Sequence, residues 1–188
     1  MPEVSDAPVW ETWDSVFLKT TTLGHQIIRE TLAKPERMIS RIAVVPRGGL
    51  YMVNVLSRML GLSGSEVISL SISKYDRDRH TEAGEFRVGS LPTKEAVEGQ
   101  VVLIADEVHD TGETMLRAKQ ILLDLGAADV LTAAIHYKPG PNVTGIAPDF
   151  FVVETDGWVH YPWETIDPPG TLYRYLLDNR HRLNDAEG

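Results

Sequence analysis

The chain has 188 residues, a length that fits one domain with enough material for a proper core, and its 43% hydrophobic and 24% charged residues read as soluble and globular. The 27 acids against 18 lysines and arginines leave a net charge of -9, which repels nucleic acid and anionic membrane over most of the surface. With no cysteine there is no disulfide scaffold, thiolate zinc site or cysteine nucleophile, and with no long apolar run or basic-then-apolar leader the expected location is cytoplasmic.

In chain order, apolar residues at Trp13, Val16, Phe17, Leu23, Ile27, Ile28 and Leu32 recur at helical spacing and predict a helix from Trp10 to Leu32, ended by Lys34-Pro35. Ile42 to Val45 reads as a short strand, Pro46-Arg47-Gly48-Gly49 as a turn, and the stretch to Leu60 as a helix ended by Gly61. Val67 to Ile72 is the next strand. The charge-rich stretch Lys74 to Arg87 has little to bury and predicts a long loop or an exposed hairpin. Val101 to Ala105 is apolar without alternation, as in a strand covered on both faces. A helix continues from Leu116 to Leu125 and stops at Gly126, and Asp129 to Tyr137 is a strand. Lys138 to Asn142 is a loop and Phe150 to Val153 a further strand. A turn at Asp156-Gly157 leads into Trp158 to Glu164, Thr171 to Asn179 is a closing helix, and the last residues are a polar tail. This alternation predicts an α/β fold, a mainly parallel twisted sheet flanked by helices, with ligands at the carboxyl ends of its strands.

Three constellations carry chemistry. The first is Asp106-Glu107-Val108-His109-Asp110-Thr111-Gly112-Glu113-Thr114, in which adjacent acids at the strand end are followed by a turn whose backbone N–H groups and threonine hydroxyls suit a phosphate. Asp110 as N-cap and Glu113 as the end of a capping box are an alternative reading of the same residues. The second is Pro46-Arg47-Gly48-Gly49, where paired glycines allow close backbone approach and Arg47 offers a fork of donors to phosphate oxygens; a plain turn with a solvent-facing arginine is the alternative. The third joins Lys138, after a strand, to the aromatic segment Trp158-Val159-His160-Tyr161-Pro162-Trp163-Glu164. Core packing is the alternative for its aromatic residues, and is preferred for Trp163 as a brace.

The first run resembles the phosphoribosyl-diphosphate (PRPP) motif of the type I phosphoribosyltransferases: hydrophobic strand, two acids, then Asp-Thr-Gly-x-Thr. The resemblance spans roughly Ile42 to Glu164 and is closest to the bacterial and archaeal xanthine, guanine and hypoxanthine enzymes. It implies a single phosphoribosyltransferase domain over 1–188, with a core at about 41–155, the N-terminal helix packed on the body, and a small hood from the chain ends at about 156–188. It further implies that Asp110, Thr111, Gly112, Glu113 and Thr114 hold the 5'-phosphate and that Arg47 and Gly48 hold the pyrophosphate, with the Pro46-Arg47 peptide a candidate for the family's cis bond. Asp106 and Glu107 would hold the ribose hydroxyls, and Asp110 would be the general base. Lys138, Trp158 and the Val159 backbone would bind the base, and Asp106, Glu107 and Glu164 would hold Mg²⁺. The activity implied is phosphoribosyl transfer from PRPP to a 6-oxopurine by a homodimer or homotetramer, with the Lys74 to His80 region as a lid. A nucleotide-sensing regulator on the same fold, or an enzyme for another base, are the alternatives.

Overall fold

The computed structural model of the protein describes residues 4–74 and 86–164. The expected helix at 171–179, most of the predicted lid, and the part of the hood beyond Glu164 lie outside the described residues.

Five parallel strands form the central sheet. In chain order they are β2 (Arg41–Val44), β3 (Val67–Ser69), β6 (Val101–His109), β7 (Asp129–Tyr137) and β8 (Phe150–Glu154), and in space they lie β3-β2-β6-β7-β8. Helices α1 (Trp13–Ala33) and α2 (Gly49–Met59) cover one face, where Val16, Leu23, Ile27, Met52 and Leu56 pack on Leu103, Leu131 and Ile135. Helix α4 (Glu113–Asp124) covers the other through Met115, Ala118, Ile121 and Leu122, with Val97 of the short helix α3 (Lys94–Val97) beside it. With both faces covered, the central strands are apolar without alternation.

Several boundaries differ from the expected ones. The N-terminal helix begins at Trp13, because Val9–Trp10 is strand β1 and Thr12 caps the helix reciprocally with Ser15. The single strand expected over Val67 to Ile72 is broken after Ser69. Its second half, β4 (Ile72–Lys74), turns away to pair antiparallel with β5 (Phe86–Val88), so the flanks of the charged stretch do form a ribbon. Short α3 gave no periodic signal. Strand β1 pairs in parallel with β9 (Val159–His160), which joins the residues before α1 to the segment after β8.

The order of strands places a topological switch between β2 and β6, whose connections run to opposite sides of the sheet. The last pair between them is Val44 with Ala105, yet β6 stays paired with β7 out to His109 and Tyr137. Beyond Ala105 one edge of β6 is therefore open, and that is the crevice in which ligands of such sheets sit. Leu103, fully buried at the centre of β6, holds this arrangement. Leu103→Ala is expected to lower unfolding stability by about 2–5 kcal/mol through lost burial and a cavity, read as an earlier urea midpoint at unchanged slope.

Candidate active site

Three loops reach the crevice. After β2 the chain passes through a cis peptide between Pro46 and Arg47 into Gly48, the N-cap of α2, with no side chain bonded to that helix end. Gly48 lies against the Glu107 carboxylate so closely that a Cβ there would overlap it, and a Cβ on Gly49 would stand 2.5 Å from the Ala105 carbonyl oxygen. The paired glycines are thus what lets α2 start on top of β6. Arg47 is exposed beside them.

The acids Asp106 and Glu107 lie within β6 and not after it, which corrects the expected strand end. The strand continues because β7 goes on pairing with it where β2 has already turned off. Loss of water around Asp106, reinforced by the hydrogen bond and charge of Glu107, holds its carboxyl well above the usual carboxylate range; the Glu107 N–H, donating to Asp106 Oδ1 at 3.0 Å, opposes this. Glu107 Oε2 is buried without a hydrogen-bond partner. An orphaned carboxylate oxygen under a glycine cradle suits a ligand that brings donors or a cation.

Next comes the turn at Asp110 to Thr114. The structure sets aside the capping reading for Asp110: the N-cap of α4 is Gly112, at φ 80°, which has no side chain to cap with. Helix α4 therefore starts from a position that only glycine adopts without strain. Behind the turn, residues without a motif signal buttress it. The Val143 N–H donates to the Thr111 carbonyl at 3.1 Å, His109 Nε2 donates to the Ile146 carbonyl at 3.1 Å, and Asn142 Oδ1 accepts from the Thr144 hydroxyl at 2.7 Å. Thr111, Glu113 and Thr114 are half-buried around this turn.

On the far side of β6, Lys138 directly follows β7, its N–H donating to the His109 carbonyl at 2.9 Å. Its side chain is buried, and the ammonium lies 3.9 Å from Asp110 Oδ2 and 5.2 Å from the centre of the Trp158 ring. Lys138, Asp110 and Trp158 are therefore brought together as expected. Trp158 is 62% exposed, an open plate and no part of the core. Val159 is buried in β9, and β1 uses the carbonyls on either side of it, those of Trp158 (2.8 Å) and His160 (2.9 Å).

Between these walls lies a cleft of about 810 Å³ bordered by Arg47, Gly48, Glu107, Trp158 and Glu164, with Trp13, Tyr51 and Trp163 forming an aromatic wall. Trp163 stacks on Tyr161 at 4.9 Å and so braces the segment, while Glu164 Oε2 accepts the Tyr161 N–H at 3.2 Å. Among the described residues no three carboxylates or histidines converge into a metal cage. The orphaned Glu107 oxygen beside Asp106 does fit a hard cation that arrives with most of its shell supplied by substrate and water.

Residues 19–167 match the phosphoribosyl transferase domain family. Among solved structures, the chain is similar to a purine phosphoribosyltransferase from Pyrococcus horikoshii at 25% identity and TM-score 0.66, over 84% of this chain and 94% of the other. It is similar to a hypothetical protein from Neisseria gonorrhoeae with bound ppGpp at 22% identity and TM-score 0.71, over 99% of this chain and 100% of the other. A xanthine-guanine-hypoxanthine phosphoribosyltransferase from Helicobacter pylori aligns at 18% identity and TM-score 0.68, over 91% of this chain and 99% of the other.

The raised Asp106 carboxyl has a consequence for stability. Because the folded state holds this proton more tightly than the unfolded chain, the contribution is present at low pH and is lost as pH climbs from about 4, the unfolded value, through the raised folded value. Asp106→Asn is expected to have a higher Tm than the parent at neutral pH, with the gap closing on acidification. An equal gap at every pH would remove the electrostatic explanation.

Proposed function

The chain belongs to the phosphoribosyl transferase family, and we propose that it transfers the 5-phosphoribosyl group of PRPP to N9 of a 6-oxopurine, hypoxanthine, guanine or xanthine, releasing pyrophosphate and a nucleoside 5'-monophosphate. The observation that carries this reading is the placement of the Lys138 ammonium between the Asp110 carboxylate and the open face of Trp158. A cation beside a free indole plate suits a flat heterocycle with a carbonyl oxygen at its edge. An amino group at the same position would set its own hydrogens against those of the buried ammonium.

In this reading the 5'-phosphate rests on the uncapped start of α4, with Thr111 and Thr114 adding hydroxyls and Gly112 and Glu113 adding backbone N–H groups. Pyrophosphate lies against Arg47 and Gly48 at the uncapped start of α2. Asp106 and Glu107 bond the ribose hydroxyls, and their negative charge favours the cationic character that develops at C1'. The purine stacks on Trp158, gives its O6 to Lys138 and meets the backbone of Val159. As the bond from C1' to the pyrophosphate oxygen breaks and the bond from N9 forms, Asp110 takes the proton from N7. Mg²⁺ would be held by Asp106, Glu107 and Glu164 together with substrate oxygens, and its charge would offset that of the departing pyrophosphate.

A second reading is favoured by the Neisseria protein, whose bound ppGpp pairs a guanine nucleotide with a pyrophosphate. The same two uncapped helix starts would suit a sensor of such a nucleotide that performs no transfer. Pyrophosphate release from Mg-PRPP against a panel of bases separates the two. Release is expected with at least one 6-oxopurine and not with adenine or uracil; tight ppGpp binding with no base-dependent release would establish the sensor instead.

Two variants test the assigned roles. Asp110→Asn is expected to lower kcat by about 10²–10⁴-fold while leaving PRPP affinity nearly unchanged, and wild-type turnover would remove the base role. Lys138→Ala is expected to raise KM for the 6-oxopurine by roughly 10- to 100-fold, the worth of a hydrogen bond to a charged group. An unchanged KM would show that O6 is recognised elsewhere.

A further inference from the structure

A row of buried polar groups runs from the residues before α1 to the acid-bearing strand, and no step of the proposed transfer uses it. The Tyr161 hydroxyl donates to the Glu107 carbonyl at 2.7 Å. His136 Nδ1 lies 2.8 Å from that hydroxyl, and His136 Nε2 lies 3.0 Å from Glu11 Oε1. Glu11 is paired with Lys19 and Ser15, and its own N–H donates to the His160 carbonyl at 2.9 Å. Glu11, His136 and Tyr161 are all buried.

The protons in the row can be assigned. Tyrosine has one hydrogen and gives it to the Glu107 carbonyl, so the hydrogen of the Nδ1 contact comes from His136. Burial pushes the imidazole down to about 4 although Glu11 opposes this, with Lys19 and Lys138 adding to the depression, so a neutral ring carries its proton on Nδ1. Nε2 then faces the Glu11 carboxylate with no proton between them and makes no hydrogen bond to it, so Lys19 and Ser15, and not His136, hold Glu11. Lys19 balances the carboxylate it faces. A buried, oriented row of this kind costs desolvation and is more exacting in geometry than apolar packing would be.

What the row joins is specific. Tyr161 follows β9 directly and bonds β6 at Glu107, and His136 of β7 donates to the same hydroxyl. We propose that His136 and Tyr161 are positioning residues that fix the base-recognition strand β9 against the acid-bearing strand β6, and so set the distance between the two bound substrates. This rests on the reading that β9 and β6 serve base and ribose respectively. Fixing one bound reactant against another acts on the reacting distance rather than on either affinity, so it is read in kcat.

Tyr161→Phe removes the hydroxyl and keeps the ring stacked on Trp163. The expected result is a fall in kcat of about tenfold or more, with KM for PRPP and for the purine each within about threefold. His136→Asn, whose amide can still donate to Tyr161, is expected to retain most of kcat, and His136→Leu to match Tyr161→Phe. Unchanged kcat in Tyr161→Phe, or equal losses in His136→Asn and His136→Leu, would overturn the proposal. Hydrogen exchange on the same variants does not depend on turnover. Tyr161→Phe is expected to speed exchange at the Val9 and Glu11 amides, which bond β9, at least tenfold relative to those of β7. A wild-type protein without transfer activity would overturn the functional reading alone, whereas unaltered exchange at these amides would overturn the clamp.

Discussion

The site depends on one mismatch of strand length. Strand β2 turns off after Val44, while β6 remains in the sheet to His109 because β7 continues to pair with it. That leaves the stretch from Asp106 onward supported on one edge and open on the other. Two carboxylates side by side could not be kept in a sheet covered on both flanks, where each would lose its water with nothing in return. At the open edge they can be crowded, as the raised Asp106 carboxyl shows, and still be reached by a ligand. Every other part of the crevice is arranged about this overhang: Gly48 and Gly49 bring α2 onto it, and Lys138 is tied to its last residue.

The protein is strongly acidic, yet the reading of its site requires it to hold a monophosphate and a pyrophosphate. Arg47 and Lys138 are the cations beside the crevice that the sequence singles out. In that reading much of the attraction would come from the dipoles of α2 and α4, both of which begin at a glycine that has no side chain to cap with.

Much of this was legible in the residues. The apolar runs at Ile42, Val101, Asp129 and Phe150 located the sheet strands, since a covered parallel strand needs unbroken branched residues. The Asp-Thr-Gly-x-Thr run and the Arg-Gly-Gly turn identified the two helix starts, because glycine is required where backbone must come close or adopt positive φ. Less was visible where meaning depends on a distant partner. Asp106 was placed at a strand end because nothing local says that β7 will go on pairing. Trp10 looks like the start of a helix until β9 is there to pair with it. His136 is one histidine in an apolar strand and Tyr161 one ring among several aromatics. Neither has a spacing that could reveal a row whose members come from four separate parts of the chain.

The pairing of β1 with β9 bears on where the working unit begins. The family match starts at residue 19, inside α1, so it leaves out Val9, Trp10 and Glu11. A shortened protein cut to the matched boundaries would keep the five-stranded sheet and both phosphate-facing turns. It would lose the edge partner of the strand that carries Trp158 and Val159, and the carboxylate facing His136. Minimal fragments of this chain should therefore be drawn from Ser5, whose carbonyl already receives the Asp156 N–H.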